Sequence, residues 1–426
     1  MEVRDASAGY EPQVNMPVVP EGYKQTEVGL IPEDWEVKRF DEVLVRLNAK
    51  ANQIQTSDYR STGMHPVVDQ GKRLVVGFSD RGDKLFSCPQ RGVIVFGDHT
   101  CIIKFVSFDF LVGADGTQII NGRPGQLIAF YAYQLQYRGV EPTGYNRHFK
   151  FLKEKIFAVP SEPEQTAIAT ALSDVDALLE ALDRLIAKKR DIKQATMQQL
   201  LTAQTRLPGF EGEWEVRSLL EIADNQKSLF DDGDWVEAEH ITDQGIRLVQ
   251  TGNIGSGVFV EKAARKYINE ASFNKLKCKE LEVGDILICR LAEPAGRACV
   301  LPDIGESRVI TSVDVTIFRP RLEIVDRRFI VQYFSTSSWF KKVLDNVGGT
   351  THKRISRGAL GKLKVPFPPV EEQEAIAKVL TDMDANLEAL RERRAKTAAL
   401  KQALMQELLT GRTRLVDLVS KERAND

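Results

Sequence analysis

EQTAIATALSDVDALLEALDRLIAKKRDIKQATMQQLLTAQTRL, residues 164–207, returns at 372–415 as EQEAIAKVLTDMDANLEALRERRAKTAALKQALMQELLTGRTRL, 208 positions later and without a gap. Of the 44 aligned pairs, 26 are identical. Shared composition cannot produce that, because even common residues each make up only roughly a tenth of an average chain. A second echo lies upstream, where Pro32-Glu33-Asp34-Trp35-Glu36-Val37 is answered by Glu211-Gly212-Glu213-Trp214-Glu215-Val216. The chain therefore reads globule, long helix, globule, long helix.

Within the repeat, apolar residues recur at Ile168, Leu172, Val175, Leu179, Leu182 and Ile186, and at Ile376, Leu380, Met383, Leu387 and Leu390. Steps of four and three make this the a/d seam of a coiled coil. It weakens at Lys188-Lys189-Arg190 and resumes through Ile192, Met197 and Leu200, so each helix runs for about 39 residues, or roughly 58 Å. Pro160 and Pro163, and Pro366, Pro368 and Pro369, stand where a helix tolerates proline, and Glu162, Glu164, Glu371 and Glu372 favour the positive end of the dipole. Neither stripe can be buried alone, so the two copies are expected to pack on each other. An antiparallel pair needs the least connecting chain, since a parallel one requires the second globule to carry the chain back along the whole helix.

Short β-type runs between glycines fill both globules, among them Arg91 to Gly97 and Val283 to Ile288. The expected class is α+β: two mixed α/β domains joined by two long antiparallel coiled-coil helices, with pseudo-two-fold internal repeat. The boundaries read as an acidic extension over 1–21, a domain over 22–160, a helical spacer over 161–207, a domain over 208–366, a second spacer over 367–418 and a tail over 419–426.

The net charge of −2 hides an uneven distribution, with 17 basic and 12 acidic residues in 35–160 and 23 and 21 in 214–366. Near-neutrality of the whole therefore does not exclude a polyanionic partner. No run of apolar residues suits a membrane span, no secretory leader is visible, and the five cysteines contain no C-x-x-C pair, which points to reduced thiols and a cytoplasmic location. No phosphate-binding G-x-x-x-x-G-K-[ST] loop, no Asn-Pro-Pro-aromatic or Asp-Pro-Pro-aromatic tetrapeptide, no metal-ligand spacing and no nucleophile with a base can be found, so neither catalytic residues nor a bound cofactor or metal is expected in this chain.

Both globules close on a polar segment opened by glycine. Tyr145, Asn146, Arg147 and His148 in the first, and Thr350, Thr351, His352, Lys353 and Arg354 in the second, are the residue types that read base edges. Lys72, Arg73, Arg290 and Arg297 flank glycine-containing turns and are candidates for phosphate contact.

The layout resembles the specificity subunit of type I restriction-modification systems. The carriers are Gly29-Leu30-Ile31-Pro32-Glu33-Asp34-Trp35, the Glu164-Gln165 and Glu372-Gln373 helix starts, and the exits Leu200 to Leu207 and Leu408 to Leu415. The resemblance implies two target-recognition domains, each binding one half of a bipartite, asymmetric site in double-stranded DNA. It implies two methyltransferase subunits and restriction motor subunits as partners, with S-adenosylmethionine, ATP and Mg²⁺ used by those partners. Half-sites read from one face of B-DNA lie about one turn, roughly 34 to 36 Å, apart, and helices of this length could span that gap. Arg393 and Arg394, where the first copy has Leu185 and Ile186, are candidates for a partner surface. The readings that compete with this one are a coiled-coil adaptor binding only proteins, and a stand-alone DNA methyltransferase or nuclease with fused recognition domains.

Overall fold

The computed structural model describes residues 19–113, 115–144, 146–291, 294–349 and 353–415. Its two long helices are Glu162–Leu200 and Val370–Leu409, of 39 and 40 residues. The chain divides into two compact units, 1–182 with 393–426, and 183–392. Each unit therefore contains one globule and half of each long helix, so the helices are parts of both cores and not spacers set apart from the globules.

In the first unit the strand Glu36–Arg39 pairs antiparallel with Ile156–Val159, so the chain enters and leaves the globule at one place. Between them stands an antiparallel sheet ordered Leu44–Leu47, Thr117–Gly122, Val93–Gly97, Ile103–Val106. A second sheet is ordered Gly77–Ser79, His65–Val68, Phe110–Val112, Leu85–Phe86, and its central pair is parallel. The run Val93 to Gly97 is buried on both faces, which is why it lacks the alternation of a half-exposed strand. Its Ile94 and Phe96 join the helix Ile128–Arg138 and the seam residues Ile168 and Leu172, together with Met405, Leu408 and Leu409.

The second unit repeats the plan. Glu215–Ser218 pairs with Lys364–Phe367, and one sheet is ordered Phe230–Asp232, Val315–Phe318, Ile286–Cys289, Ala298–Val300. The other is ordered Ile241–Thr242, Lys266–Ile268, Ile246–Val249, Val309–Thr311, again with a parallel pair, Ile246–Val249 against Val309–Thr311. Here the seam residues Ile376 and Leu380 share a core with Leu200 and Leu201, the helix Arg327–Tyr333 and Trp339. Val175, Leu179, Met383 and Leu390 are half-buried, and Leu182, Ile186 and Leu387 are buried.

Within each unit the two helix halves run antiparallel, as the contacts require. In the first, Lys401 meets Asp176 at 2.6 Å, and the core joins Ile168 to Leu408. In the second, Lys193 meets Asp384 at 2.5 Å. Asp176 and Asp384 are repeat equivalents, and so are Lys193 and Lys401, both 208 apart. The counterparts of the two residues in one pair thus meet each other in the second pair, the reciprocity that antiparallel packing of two like helices must give.

Candidate nucleic-acid interface

In the first unit the loops after His65–Val68 and Val93–Gly97, the turn before Thr117–Gly122 and the closing segment gather at one end of the sheets. Gln70 holds them together: its amide donates to the Asp115 carbonyl at 3.1 Å, its side-chain oxygen accepts from the His99 backbone N–H at 3.3 Å, and its own carbonyl accepts from the Thr100 hydroxyl at 2.7 Å. Gly116 has φ +91° and a Cβ there would lie 2.8 Å from the His99 ring, so only glycine lets the turn pass so close. On this edge Lys72 and Arg73 are exposed, with no partner among the described residues. The exposed Asn146 binds its own loop, donating to Thr143 O at 2.8 Å, and Arg147 forms an exposed ion pair with Asp115 at 3.6 Å.

His148 corrects the sequence reading. It is fully buried, its Nε2 accepts from the Thr143 N–H at 2.9 Å, and Nδ1 lies 3.0 Å from the Asp98 carbonyl. Because Nε2 accepts, Nδ1 carries the proton and donates to Asp98, which leaves the ring no capacity for a base edge. Asp98 completes the lock by accepting from the Phe149 N–H at 2.7 Å.

The second unit builds the same edge with other residues. Ile355 is the counterpart of His148: its N–H donates to the Arg290 carbonyl as that of His148 donates to Asp98, at 3.0 and 2.8 Å. Arg290, like His148, is misassigned by the sequence. It is buried, pairs with Asp232 at 3.1 Å and donates to the Ile355 carbonyl at 3.2 Å, so it anchors the closing segment and cannot reach a phosphate. Burial raises the Asp232 carboxyl, and Arg290 opposes that shift. Arg297 is half-buried and spends its Nε on the Pro294 carbonyl at 3.1 Å. Lys353 and Arg354 are exposed, and Arg354 pairs with Asp314 at 3.5 Å. Tyr145, Thr350, Thr351 and His352 lie outside the described residues.

Beside Asp314 a polar cleft opens, floored by the buried Arg247 and lined by Gln250, Lys262, Lys266 and Trp235. Trp235 is 64% exposed, and the two lysines are exposed with no partner among the described residues. An exposed indole beside two unneutralised ammonium groups suits a polyanion that also presents flat apolar surface. Sequence reasoning missed this cluster and Gln70. Trp235 follows the acidic run Asp231-Asp232-Gly233-Asp234, and only the folded sheet brings it beside Lys262 and Lys266.

The bases of the helices carry a third duplicated arrangement. Glu164 accepts from Trp35 Nε1 at 3.1 Å and from Arg414 at 2.7 and 2.8 Å. Glu372 accepts from Trp214 Nε1 at 2.9 Å and from Arg206 at 2.5 and 2.6 Å. Gln165 and Gln373 tie the same helix starts to Leu127 and Asp326, each accepting a backbone N–H at 3.0 Å.

Residues 211–398 match the family model described as the type I restriction modification DNA specificity domain. Over most of its length the chain is similar to type I specificity subunits. The type I restriction enzyme MjaVIII specificity subunit of Methanocaldococcus jannaschii is 25% identical, over 93% of this chain and 97% of the relative. The putative type I restriction enzyme MjaX specificity subunit of the same organism is 26% identical over the same shares. The crystal structure of the type I restriction-modification S subunit from M. genitalium has this fold, with a TM-score of 0.58, 17% identity, and coverage of 88% of this chain and 96% of that one. The two units of this chain share a strand frame and differ in the side chains at its loop edge. No helix among the described residues is long and apolar enough to cross a membrane.

Proposed function

We propose that this chain is the DNA-recognition subunit of a type I restriction-modification complex, in which each globule binds one half of a bipartite, asymmetric duplex site. The observation that carries this reading is the pair of loop edges: one strand frame, used twice, ends once in Gln70, Lys72, Arg73 and Asn146, and once in Trp235, Lys262, Lys266 and Lys353. A duplicated frame with unlike edges is what reading two unlike half-sites demands. The paired helices set the unread gap and hold two methyltransferase subunits, which restriction subunits join.

The chain itself performs no chemistry in this reading. Methyl transfer from S-adenosylmethionine and ATP- and Mg²⁺-dependent steps belong to the partners, in keeping with the missing tetrapeptide and phosphate loop. The test is to map modified adenines in DNA from cells carrying the chain and its partners. A split motif is expected. Replacing residues 35–160 by the domain of another family member should change one half only, whereas removing residues from one helix should alter the gap and leave both halves. An unsplit motif, or both halves changing together, would overturn the proposal.

A further inference from the structure

Arg147 and Arg354 occupy the same place in the two folds. Each immediately precedes the residue, His148 or Ile355, whose N–H donates to the carbonyl just past the end of a central strand, that of Asp98 or Arg290. Everything near them has diverged. His148 faces Ile355 in the alignment, and Asp98 faces Arg290, a reversal of charge. The strand frame makes Val313 the counterpart of Asp115, so the paired carboxylates, Asp115 and Asp314, come from neighbouring positions of the same turn.

Scaffolding does not explain the two arginines. Their side chains are 66% and 52% exposed and their ion pairs are long, at 3.6 and 3.5 Å, so the pairs contribute little to folding. Base reading explains them poorly too, because residues that read unlike half-sites should differ between the globules. What two different half-sites share is the sugar-phosphate backbone, whose contacts fix register without carrying sequence information.

Resting on the proposed DNA-recognition role, we infer that Arg147 and Arg354 are matched phosphate clamps, one per recognition globule, which position each edge on the duplex and leave the choice of sequence to the unlike residues around them. Asp115 and Asp314 hold the guanidinium groups on the edge in the free protein and are exchanged for phosphate oxygens on binding. That exchange replaces one exposed, solvent-screened pair with a contact that also releases a counterion.

The test uses the full chain with its co-purified methyltransferase subunits, a duplex carrying the motif found by mapping modified adenines, and a scrambled duplex. Arg147→Gln and Arg354→Gln should each raise Kd severalfold on both duplexes alike and reduce the slope of log affinity against log salt by about one. The double variant should reduce it by about two, Arg→Lys at either position should keep the slope, and the methylated motif should not change. Relaxed methylation at one base of a half-site, or an unaltered salt slope, would overturn the inference and leave the recognition role standing. Failure of the unaltered complex to distinguish the two duplexes would remove the recognition role and the inference with it.

Discussion

Arg414 grips Glu164 through two hydrogen bonds of 2.7 and 2.8 Å across 250 residues of sequence, and the guanidinium lies 5.8 Å from the ring centroid of Trp35, which donates to the same carboxylate. Arg206, Glu372 and Trp214 repeat the arrangement, with the cation 5.4 Å from the indole. The exit of each long helix is thereby pinned to the start of the other copy.

Glu164 is 1% exposed, so removing its cationic partner leaves a buried carboxylate held only by an indole N–H. Arg414→Met is expected to destabilise the first unit by about 3 kcal/mol, near the lower end for breaking a buried pair, because Arg414 is itself partly exposed. Glu164→Gln, an amide of the same shape, should cost less. A double-mutant cycle by urea denaturation should give a clear coupling energy, and strict additivity would show that the two side chains do not act as a pair.

The same arginine reaches Asp34 at 2.8 and 2.9 Å, and that hydrogen-bonded guanidinium holds the Asp34 carboxyl below the usual carboxylate range despite an opposing effect of burial. A lowered folded value means the contribution is complete above the unfolded value, about 4, and is lost as pH falls through the folded one. Asp34→Asn should therefore cost a little stability at pH 7, where the contribution is complete, and flatten the loss of stability below about pH 4. Side-chain exposure of 66% keeps the effect small. Acid denaturation curves of both proteins provide the measurement, and superimposable curves would refute the link.

The rods were legible in the sequence because coiled-coil periodicity is local and the duplication doubles the signal. Glu164, Glu372, Arg206 and Arg414 also stood out as repeated letters, but their pairing became visible only once the helices were seen to run antiparallel. The edges were harder to read. His148 and Arg290 are polar residues beside glycine-containing turns, the pattern that suggests exposure, yet both are buried and serve as hydrogen-bonding anchors of the closing segment. Residue type could not reveal this, because their counterparts Ile355 and Asp98 do the same job with different chemistry. Trp235 escaped notice for the opposite reason, as an aromatic residue whose sequence setting offers no hint that the fold leaves it exposed.

Ala203 and Gly411 are repeat equivalents just past the helix ends, and both are left-handed, with φ of +58° and +70°. That conformation costs a residue with a Cβ about 1 to 2 kcal/mol relative to glycine. Ala203→Gly is expected to stabilise the second unit by about 1 kcal/mol, after allowing for the greater freedom of glycine in the unfolded chain. Gly411→Ala should be worse than the reverse of that change, since its Cβ would come within 2.5 Å of Pro32 Cδ. Thermal unfolding of the two variants checks the asymmetry, and equal and opposite shifts would show that the clash with Pro32 is relieved without cost.

His148 separates fold from recognition. Replacing it with alanine removes a buried ring, orphans the Thr143 N–H and takes one of two donors from the Asp98 carbonyl, for an expected loss of about 2 to 4 kcal/mol in the first unit. Affinity should fall in proportion to the folded fraction, because the ring itself touches no DNA. The bases methylated in the corresponding half-site should remain the same in whatever complex survives. His148→Ile, which imports the residue that the second unit uses at this place, should lose less, since it fills the space, keeps the backbone bond to Asp98 and leaves only the Thr143 N–H to find water. A changed motif in either variant, at full folding, would return His148 to the list of base-reading residues.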